Sequence, residues 1–305
     1  MEKVLIFGHK NPDTDSICSS IVMEDLEKKF GNSKAEAVAL GNVNKETEFI
    51  LNYFNIEKPR VISEVEENQE VILVDHNEFD QSVNGIEKAK ILKVMDHHRI
   101  NNFKTADPIF YQAQPVGCTG TILYEMYVMN NLKIEEKMAA LMLSAIISDT
   151  LLFKSPTCTP KDINVANKLA EIAHIDINTY GLEMLKAGTD LGDFSEEELI
   201  TLDMKKTTTN GVNIAVAQIN TVSIEDVLKR EAKLKEAINK KIEEESLDLF
   251  VFAITDILES NSEIIALGNR TDIIEKTNKL ENNRAFLPGV VSRKKQIIPM
   301  LEANI

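Results

Sequence analysis

The chain has 305 residues, 43% hydrophobic and 27% charged, which is the make-up of an ordinary globular protein long enough for one large domain or two smaller ones. No apolar run approaches the roughly 18 residues a membrane helix needs, so a membrane-spanning class is excluded. A formal net charge of −15 argues against non-specific binding to nucleic acid or anionic membrane, and any anionic substrate must meet a local reversal of field.

The opening Met1-Glu2-Lys3-Val4-Leu5-Ile6-Phe7 has no basic segment, long apolar core and small-residue cleavage site, and does not read as a signal peptide. Val4 to Gly8 reads as a buried strand. It is followed by the loop His9-Lys10-Asn11-Pro12-Asp13-Thr14-Asp15 and a helix from about Ser16 to Phe30, with Ile17, Ile21, Val22 and Leu26 among its apolar positions. Asp13 or Asp15 alone fits an ordinary helix cap. A His-x₃-Asp-x-Asp set projected from one short loop after a strand points instead to metal binding.

Val71 to Asp75 and Ile91 to Asp96 are further apolar strands, and their unalternated runs favour a parallel sheet covered by helices on both faces. The first ends in Asp75-His76-Asn77 and the second in Asp96-His97-His98-Arg99. Ligands of such sheets gather at the carboxyl ends of the strands, so His9, Asp75 and Asp96-His97-His98 face one crevice. Pro115-Val116-Gly117-Cys118-Thr119-Gly120 reads as a tight turn with Thr119 as cap of a following helix, or as a phosphate-facing backbone loop. Met138 to Ile147 is apolar all round and marks a helix through the core, which brings the following Asp149 to the same crevice.

Hard carboxylate oxygens mixed with imidazole nitrogens suit Mn²⁺, Co²⁺ or Zn²⁺, and more ligands than one ion needs suggest a pair. A two-metal centre points to hydrolysis of a phosphorus–oxygen bond. Asp96 and His76 are expected behind the ligands, orienting metal-bound imidazoles. Cys18, Cys118 and Cys158 are odd in number and far apart, which favours buried thiols in a reducing, cytoplasmic setting over a disulfide framework.

Two glycines and two acids in Gly188-Thr189-Asp190-Leu191-Gly192-Asp193-Phe194 mark the best domain boundary. The expected organisation is residues 1–188 as the catalytic domain, 189–194 as a hinge linker and 195–305 as a second domain. Beyond the boundary, Val212 to Ile219 reads as a strand with one exposed face, Ser223 to Glu245 as a long charged helix, and Leu249 to Thr255 as a buried strand. The fold class is therefore α/β, a larger mainly parallel sheet followed by a smaller α/β domain with a mixed sheet. Ser292-Arg293-Lys294-Lys295-Gln296 is the strongest basic island and is embedded in apolar sequence, as suits a phosphate clamp. Lys205-Lys206 reads as a solvated helix end.

Taken together, His-x-Asn-Pro-Asp-x-Asp, Val-Asp-His-Asn, Asp-His-His-Arg, the Ser-Asp after the buried helix and the C-terminal Ser-Arg-Lys-Lys-Gln resemble the family II inorganic pyrophosphatases of the DHH superfamily. The resemblance covers essentially the whole chain and is to the short form without CBS domains. It implies hydrolysis of pyrophosphate to two orthophosphates. His9, Asp13 and Asp75 would bind one ion, Asp15, Asp75, His97 and Asp149 the other, and His98, Lys205, Arg293 and Lys294 the substrate phosphates. The implied metals are two Mn²⁺ or Co²⁺ per subunit, with Mg²⁺ accompanying the substrate. A homodimer through the first domain is also implied.

With neutral His9 and His97, the charges of Asp13, Asp15, Asp75 and Asp149 balance two divalent ions, and the basic residues then offset the substrate. A water held between the ions would attack phosphorus in line with the bridging oxygen, while His98 either orients the substrate or protonates the leaving phosphate. Because the basic clamp lies in the second domain, substrate is expected to favour domain closure. Two competing readings are a DHH phosphodiesterase of short oligonucleotides or cyclic dinucleotides and a non-catalytic metal-dependent phosphate-binding protein. The first lacks its glycine-rich motif after residue 195, and the second predicts missing ligands where none is missing.

Overall fold

In the computed structural model, which describes residues 3–305, the chain divides into two compact α/β units, one ending at Gly188 and the other spanning Thr189–Ile305. The first unit contains, in chain order, β1 (Val4–Phe7), α1 (Thr14–Lys29), β2 (Ala35–Ala39), α2 (Lys45–Tyr53), β3 (Arg60–Val61), β4 (Glu70–Val74), β5 (Lys90–Asp96) and β6 (Phe110–Ala113). Four helices complete it: α3 (Thr119–Met129), α4 (Glu136–Thr150), α5 (Pro160–Ala173) and α6 (Ile177–Gly188).

Its strands form one parallel sheet in the order β3-β2-β1-β4-β5-β6. Leu5, Phe7, Val71 and Leu73 share one face and a cluster with Val83 and Ile86, while Ile6, Ile72 and Val74 alternate to the other and are equally buried. Burial on both faces explains why these strands read as continuous apolar runs. The strand order reverses between β1 and β4, and the carboxyl ends of that pair define the crevice where ligands of such sheets bind. Every residue of α4 from Ala139 to Ile147 is buried, and the helix packs against α1, α3 and α5.

The second unit contains α7 (Glu196–Leu199), β7 (Met204–Thr209), β8 (Val212–Thr221), α8 (Ile224–Leu228), α9 (Glu231–Glu245), β9 (Leu249–Asp256), β10 (Asn261–Gly268), α10 (Asp272–Glu275), β11 (Arg284–Pro288) and α11 (Ile298–Glu302). Its sheet runs β11-β10-β9-β8-β7 and is mixed, since β8 and β9 pair in parallel and the other neighbours are antiparallel. Phe250, Phe252 and Ile254 face α9, through Leu234 and Ile238, whereas Leu249, Val251 and Ala253 face Ile273, Ile297 and Leu301.

Three expectations differ locally. The strand at Val212 has no solvent face, because layers on both sides cover β8. The long charged helix is broken after Leu228, where Arg230 leaves helical geometry (φ −99°, ψ 7°) and donates to the carbonyls of Leu191 and Phe194 at 3.2 and 2.6 Å. Finally, Lys205 and Lys206 lie on the edge strand β7, paired opposite Val216 and Ala215, not at a helix end.

Candidate metal centre

Gly8 begins the centre by what it lacks. A Cβ there would lie 2.5 Å from that of Ser16, so glycine lets the first turn of α1 close against the end of β1. The Ser16 hydroxyl then accepts from the His9 amide at 3.3 Å and donates to Asp75 Oδ2 at 2.7 Å. Gly8→Ala is expected to push these groups apart and cost about 1–3 kcal/mol of stability, as overpacking does, measured by urea denaturation. An unchanged denaturation midpoint would refute this close-packing account.

The structure resolves the double reading of Asp13. Its Oδ1 caps α1 by accepting from the Ser16 amide at 3.0 Å, and its Oδ2 lies 3.3 Å from His9 Nε2, so one carboxylate faces both helix and crevice. The ring of His9 places Nδ1 2.8 Å from the Lys10 carbonyl, which fixes Nδ1–H as donor and leaves Nε2 toward the carboxylates.

Asp75 follows β4 with a positive φ of 59°, the left-handed region that aspartate tolerates better than most residues. It is 1% exposed, and its oxygens point to different partners. Oδ2 lies 3.5 Å from His9 Nε2, while Oδ1 lies 3.3 Å from His97 Nε2. One carboxylate thus joins two ligand groups, His9–Asp13–Asp75 and Asp15–Asp75–His97–Asp149.

In the second group, His97 Nε2 lies 3.9 Å from Asp15 Oδ2 and 3.6 Å from Asp149 Oδ2. Its Nδ1 is 3.1 Å from the Val116 carbonyl, whereas the buried Nε2 has no hydrogen-bond partner among the described residues. Asp15 accepts from Ser19 Oγ at 2.6 Å and from the Thr119 amide at 2.7 Å. The start of α3 is therefore used internally. Cys118, not Thr119, is the N-cap, and the Thr119 amide serves Asp15 instead of standing open to phosphate. Asp149 sits in the last turn of α4, just before Leu151, Leu152 and Phe153, which all carry positive φ.

Burial first, and crowding of carboxylates after it, set the electrostatics. Burial, then the charge of Asp15, pushes the Asp75 carboxyl up to about 7. Burial, then Asp15 and Asp75, likewise holds Asp149 well above the usual carboxylate range. Burial by itself would lower His9 and His97, yet their carboxylate partners outweigh it and raise both to about 9. A site that draws in protons this strongly is short of positive charge. An unpaired imidazole nitrogen, hard oxygens and that deficit fit divalent metal ions.

Glu46 escaped the sequence reading. Its Oε1 accepts from Thr14 Oγ1 at 2.6 Å and from Ser148 Oγ, tying the start of α1 to the end of α4 beside Asp149. Burial is the main cause of its raised pKa. Nothing in Lys45-Glu46-Thr47-Glu48 distinguishes it from an exposed helix start, and only the partners contributed by distant segments do so.

Asp96 and His76 have other partners than the metal-facing rings. Asp96 Oδ1 is 3.0 Å from His98 Nδ1 and also accepts the His98 amide, while Asn77 donates to its Oδ2 at 2.6 Å. Asp96 thus orients half-exposed His98 and raises its pKa, the hydrogen bond being the first cause. His76 is buried with its nitrogens 2.9 Å from the Val74 carbonyl and 3.0 Å from Ser82 Oγ, and burial lowers its pKa to about 4. It braces the chain after β4, and the rings of His9 and His97 use backbone carbonyls instead.

In the second unit, Arg293 and Lys294 open a single π-helical turn, Arg293–Ile297, capped by Ser292. Gln296 Oε1 accepts from the amides of Val291 and Ser292 at 2.9 and 3.0 Å, and Gln218 Oε1 accepts from the Arg293 amide at 2.8 Å. Arg293 Nη1 pairs with Asp203 Oδ1 at 2.8 Å, its Nε has no hydrogen-bond partner among the described residues, and Lys294 is exposed. Lys205 is also exposed, on the edge strand.

Two domain families match the chain: the DHH family N-terminal domain over residues 3–146 and the DHHA2 domain over 182–304. The chain is 56% identical over 304 residues to the manganese-dependent inorganic pyrophosphatase of Bacillus subtilis strain 168, covering 99% of this chain and 98% of that protein. It is also similar to the crystal structure of a candidate family II inorganic pyrophosphatase of Methanococcus jannaschii. There the TM-score is 0.63 and the identity 40%, over 100% of this chain and 99% of the other.

Proposed function

The chain belongs to the manganese-dependent inorganic pyrophosphatase family, with a DHH and a DHHA2 domain, and on that footing we propose that it hydrolyses inorganic pyrophosphate to two orthophosphates. The observation that carries the assignment of its centre is Asp75, one carboxylate with an oxygen toward each of two ligand groups. His9, Asp13 and Asp75 would hold one ion, and Asp15, Asp75, His97 and Asp149 the other. Two Mn²⁺ or Co²⁺ ions, with Mg²⁺ accompanying the substrate, would supply Lewis acidity, a more acidic water and positive charge against the phosphoryl oxygens.

The chain's own groups do the rest. The carbonyls of Lys10 and Val116 hold both histidine rings with Nε2 forward, so the ligands are oriented before metal arrives. His98 gives Nδ1–H to Asp96 and presents Nε2–H to a phosphate oxygen, which makes it an electrostatic guide for the substrate more than an obligatory acid. Arg293 offers a planar fork to phosphate, and Lys205 and Lys294 add compact charges. We assign residues 1–188 to metal binding and catalysis, 189–194 to the linker and 195–305 to substrate binding.

Three free thiols support a reducing, cytoplasmic location. A homodimer through the first unit is supported by its sheet edges, where Val61 and Phe110 are 55% and 48% exposed. Among the described residues no helix is long and apolar enough to cross a membrane.

Phosphate release from pyrophosphate, tripolyphosphate and a dinucleotide, with defined Mn²⁺ and Mg²⁺, tests the function. Pyrophosphate is expected to be much the best substrate, activity is lost on dialysis against chelator, and Mn²⁺ restores it. Faster cleavage of the dinucleotide, or tight pyrophosphate binding without turnover, would overturn the reading.

A further inference from the structure

Asp162 is a fully buried carboxylate, 0% exposed, to which no step of the chemistry above assigns a task. Its Oδ2 accepts from the Thr159 amide at 2.8 Å while its own amide donates to Thr159 Oγ1 at 3.4 Å, the reciprocal bonds of a capping box at the start of α5, and Thr159 Oγ1 also donates to Oδ2 at 2.6 Å. A cap needs nothing more. Yet Oδ2 also accepts from the Gly117 amide at 2.9 Å, and Oδ1 accepts from Thr121 Oγ1 at 2.6 Å. These donors come from the segment between β6 and α3 together with the first turn of α3, more than 40 residues away in the chain.

That segment serves one ligand group. The Val116 carbonyl faces His97 Nδ1, the Thr119 amide donates to Asp15 Oδ2, and Thr119 Oγ1 reaches the shared Asp75 only at Oδ1, the oxygen on the His97 side, at 3.4 Å. The third link is steric. A Cβ on Gly117 would lie 2.8 Å from Thr150 Cγ2 and 2.9 Å from Asp162 Oδ2, so Gly117 seats the residue after Asp149 directly on this junction. His9 and Asp13 take their own bonds elsewhere, from Lys10 and Ser16.

We propose that Asp162 is a positioning residue that sets His97, Asp15 and Asp149 for one ion and leaves the ion at His9 and Asp13 untouched. The proposal rests on the two-ion reading of the centre. Alanine at 162 would remove both acceptor oxygens, so the bonds from Gly117 and Thr121 that anchor the segment are lost. Partners bonded directly to a ligand change metal affinity about 10–100-fold, and Asp162, one residue further out, acts at the low end of that range.

The test is manganese titration of the full chain by calorimetry, with anomalous scattering from crystals to read occupancy at each position. Asp162→Ala is expected to weaken the ion at His97 and Asp149 about tenfold while the ion at His9 keeps its wild-type affinity. Thr159→Ala, which removes the cap hydroxyl but leaves the bonds from Gly117 and Thr121, is expected to lower thermal stability with both ions bound as in the wild type. Should Asp162→Ala not fold, Gly117→Ala is expected to produce the same selective loss. Equal weakening of both ions, or of neither, would overturn the proposal. A wild-type chain that takes up fewer than two ions would instead overturn the two-ion reading, and the proposal with it.

Discussion

Asp75→Asn is expected to lower kcat/KM for pyrophosphate by about 10³-fold or more, because a ligand shared by both groups is lost and several kcal/mol of metal-derived stabilisation go with it. An amide offers one oxygen where the carboxylate offers two, and one oxygen cannot face His9 and His97 at once. The stability effect has opposite signs with and without metal. In the metal-free chain the Asp75 carboxyl is raised from 3.8 to about 7, so its ionised form opposes folding above the unfolded value, fully so above about 7. At pH 8 the metal-free variant is therefore expected to be more stable than metal-free wild type, and the manganese-loaded variant less stable than its wild-type counterpart. Denaturation with and without Mn²⁺, beside steady-state kinetics, measures both. Near-normal turnover by the variant would rule out a bridging role for Asp75.

The second large effect is the pH dependence of metal loading. His9 and His97 have pKa values of about 9 without metal, so each must give up a proton before its Nε2 can bind an ion at neutral pH. Affinity for the ion at His9 is expected to fall about tenfold per unit as pH drops from 8 to 7 and that for the ion at His97 at least as steeply, since the Asp149 carboxyl is raised too, and both fall faster below about 7, where Asp75 also takes up a proton. The same shifts act on metal-free folding. Each raised histidine contributes stability that is fully present below its unfolded value of 6.5 and is lost as pH rises through about 9. Chelator-competition titrations at pH 6, 7 and 8 check this, and affinities flat across that range would contradict it.

Strands β1, β4 and β9 and helix α4 were legible in the sequence because each is almost wholly buried, and burial on both faces writes a continuous apolar run into the chain, while β5, with Lys90 exposed and Leu92 and Lys93 half-buried, was legible from Ile91, Val94 and Met95. Strands β2, β3 and β6 were not. One is alanine-rich, one is two residues long and one is a half-exposed edge, so their pairing is decided by the neighbouring strands more than by their own residues. The break at Arg230 was equally hidden, since Ser223 to Glu245 has good helical periodicity and the partners that hold the arginine, the carbonyls of Leu191 and Phe194 and the carboxylate of Glu196, come from a distant segment.

For the centre, the sequence by itself determined the kinds of ligand, their strand-end placement and the basic island, because chemistry and short-range spacing are local properties of a chain. Tertiary structure decided that Asp13 is both cap and crevice carboxylate, that Asp75 divides its oxygens, and that Asp96 serves His98. It also supplied Ser16, Glu46, Thr119, Asp162 and Gln218, whose side chains or amides meet partners contributed by distant segments. Hydrogen bonds act over about 3 Å, whereas the sequence separations they bridge here run to more than a hundred residues, so no local pattern could announce them.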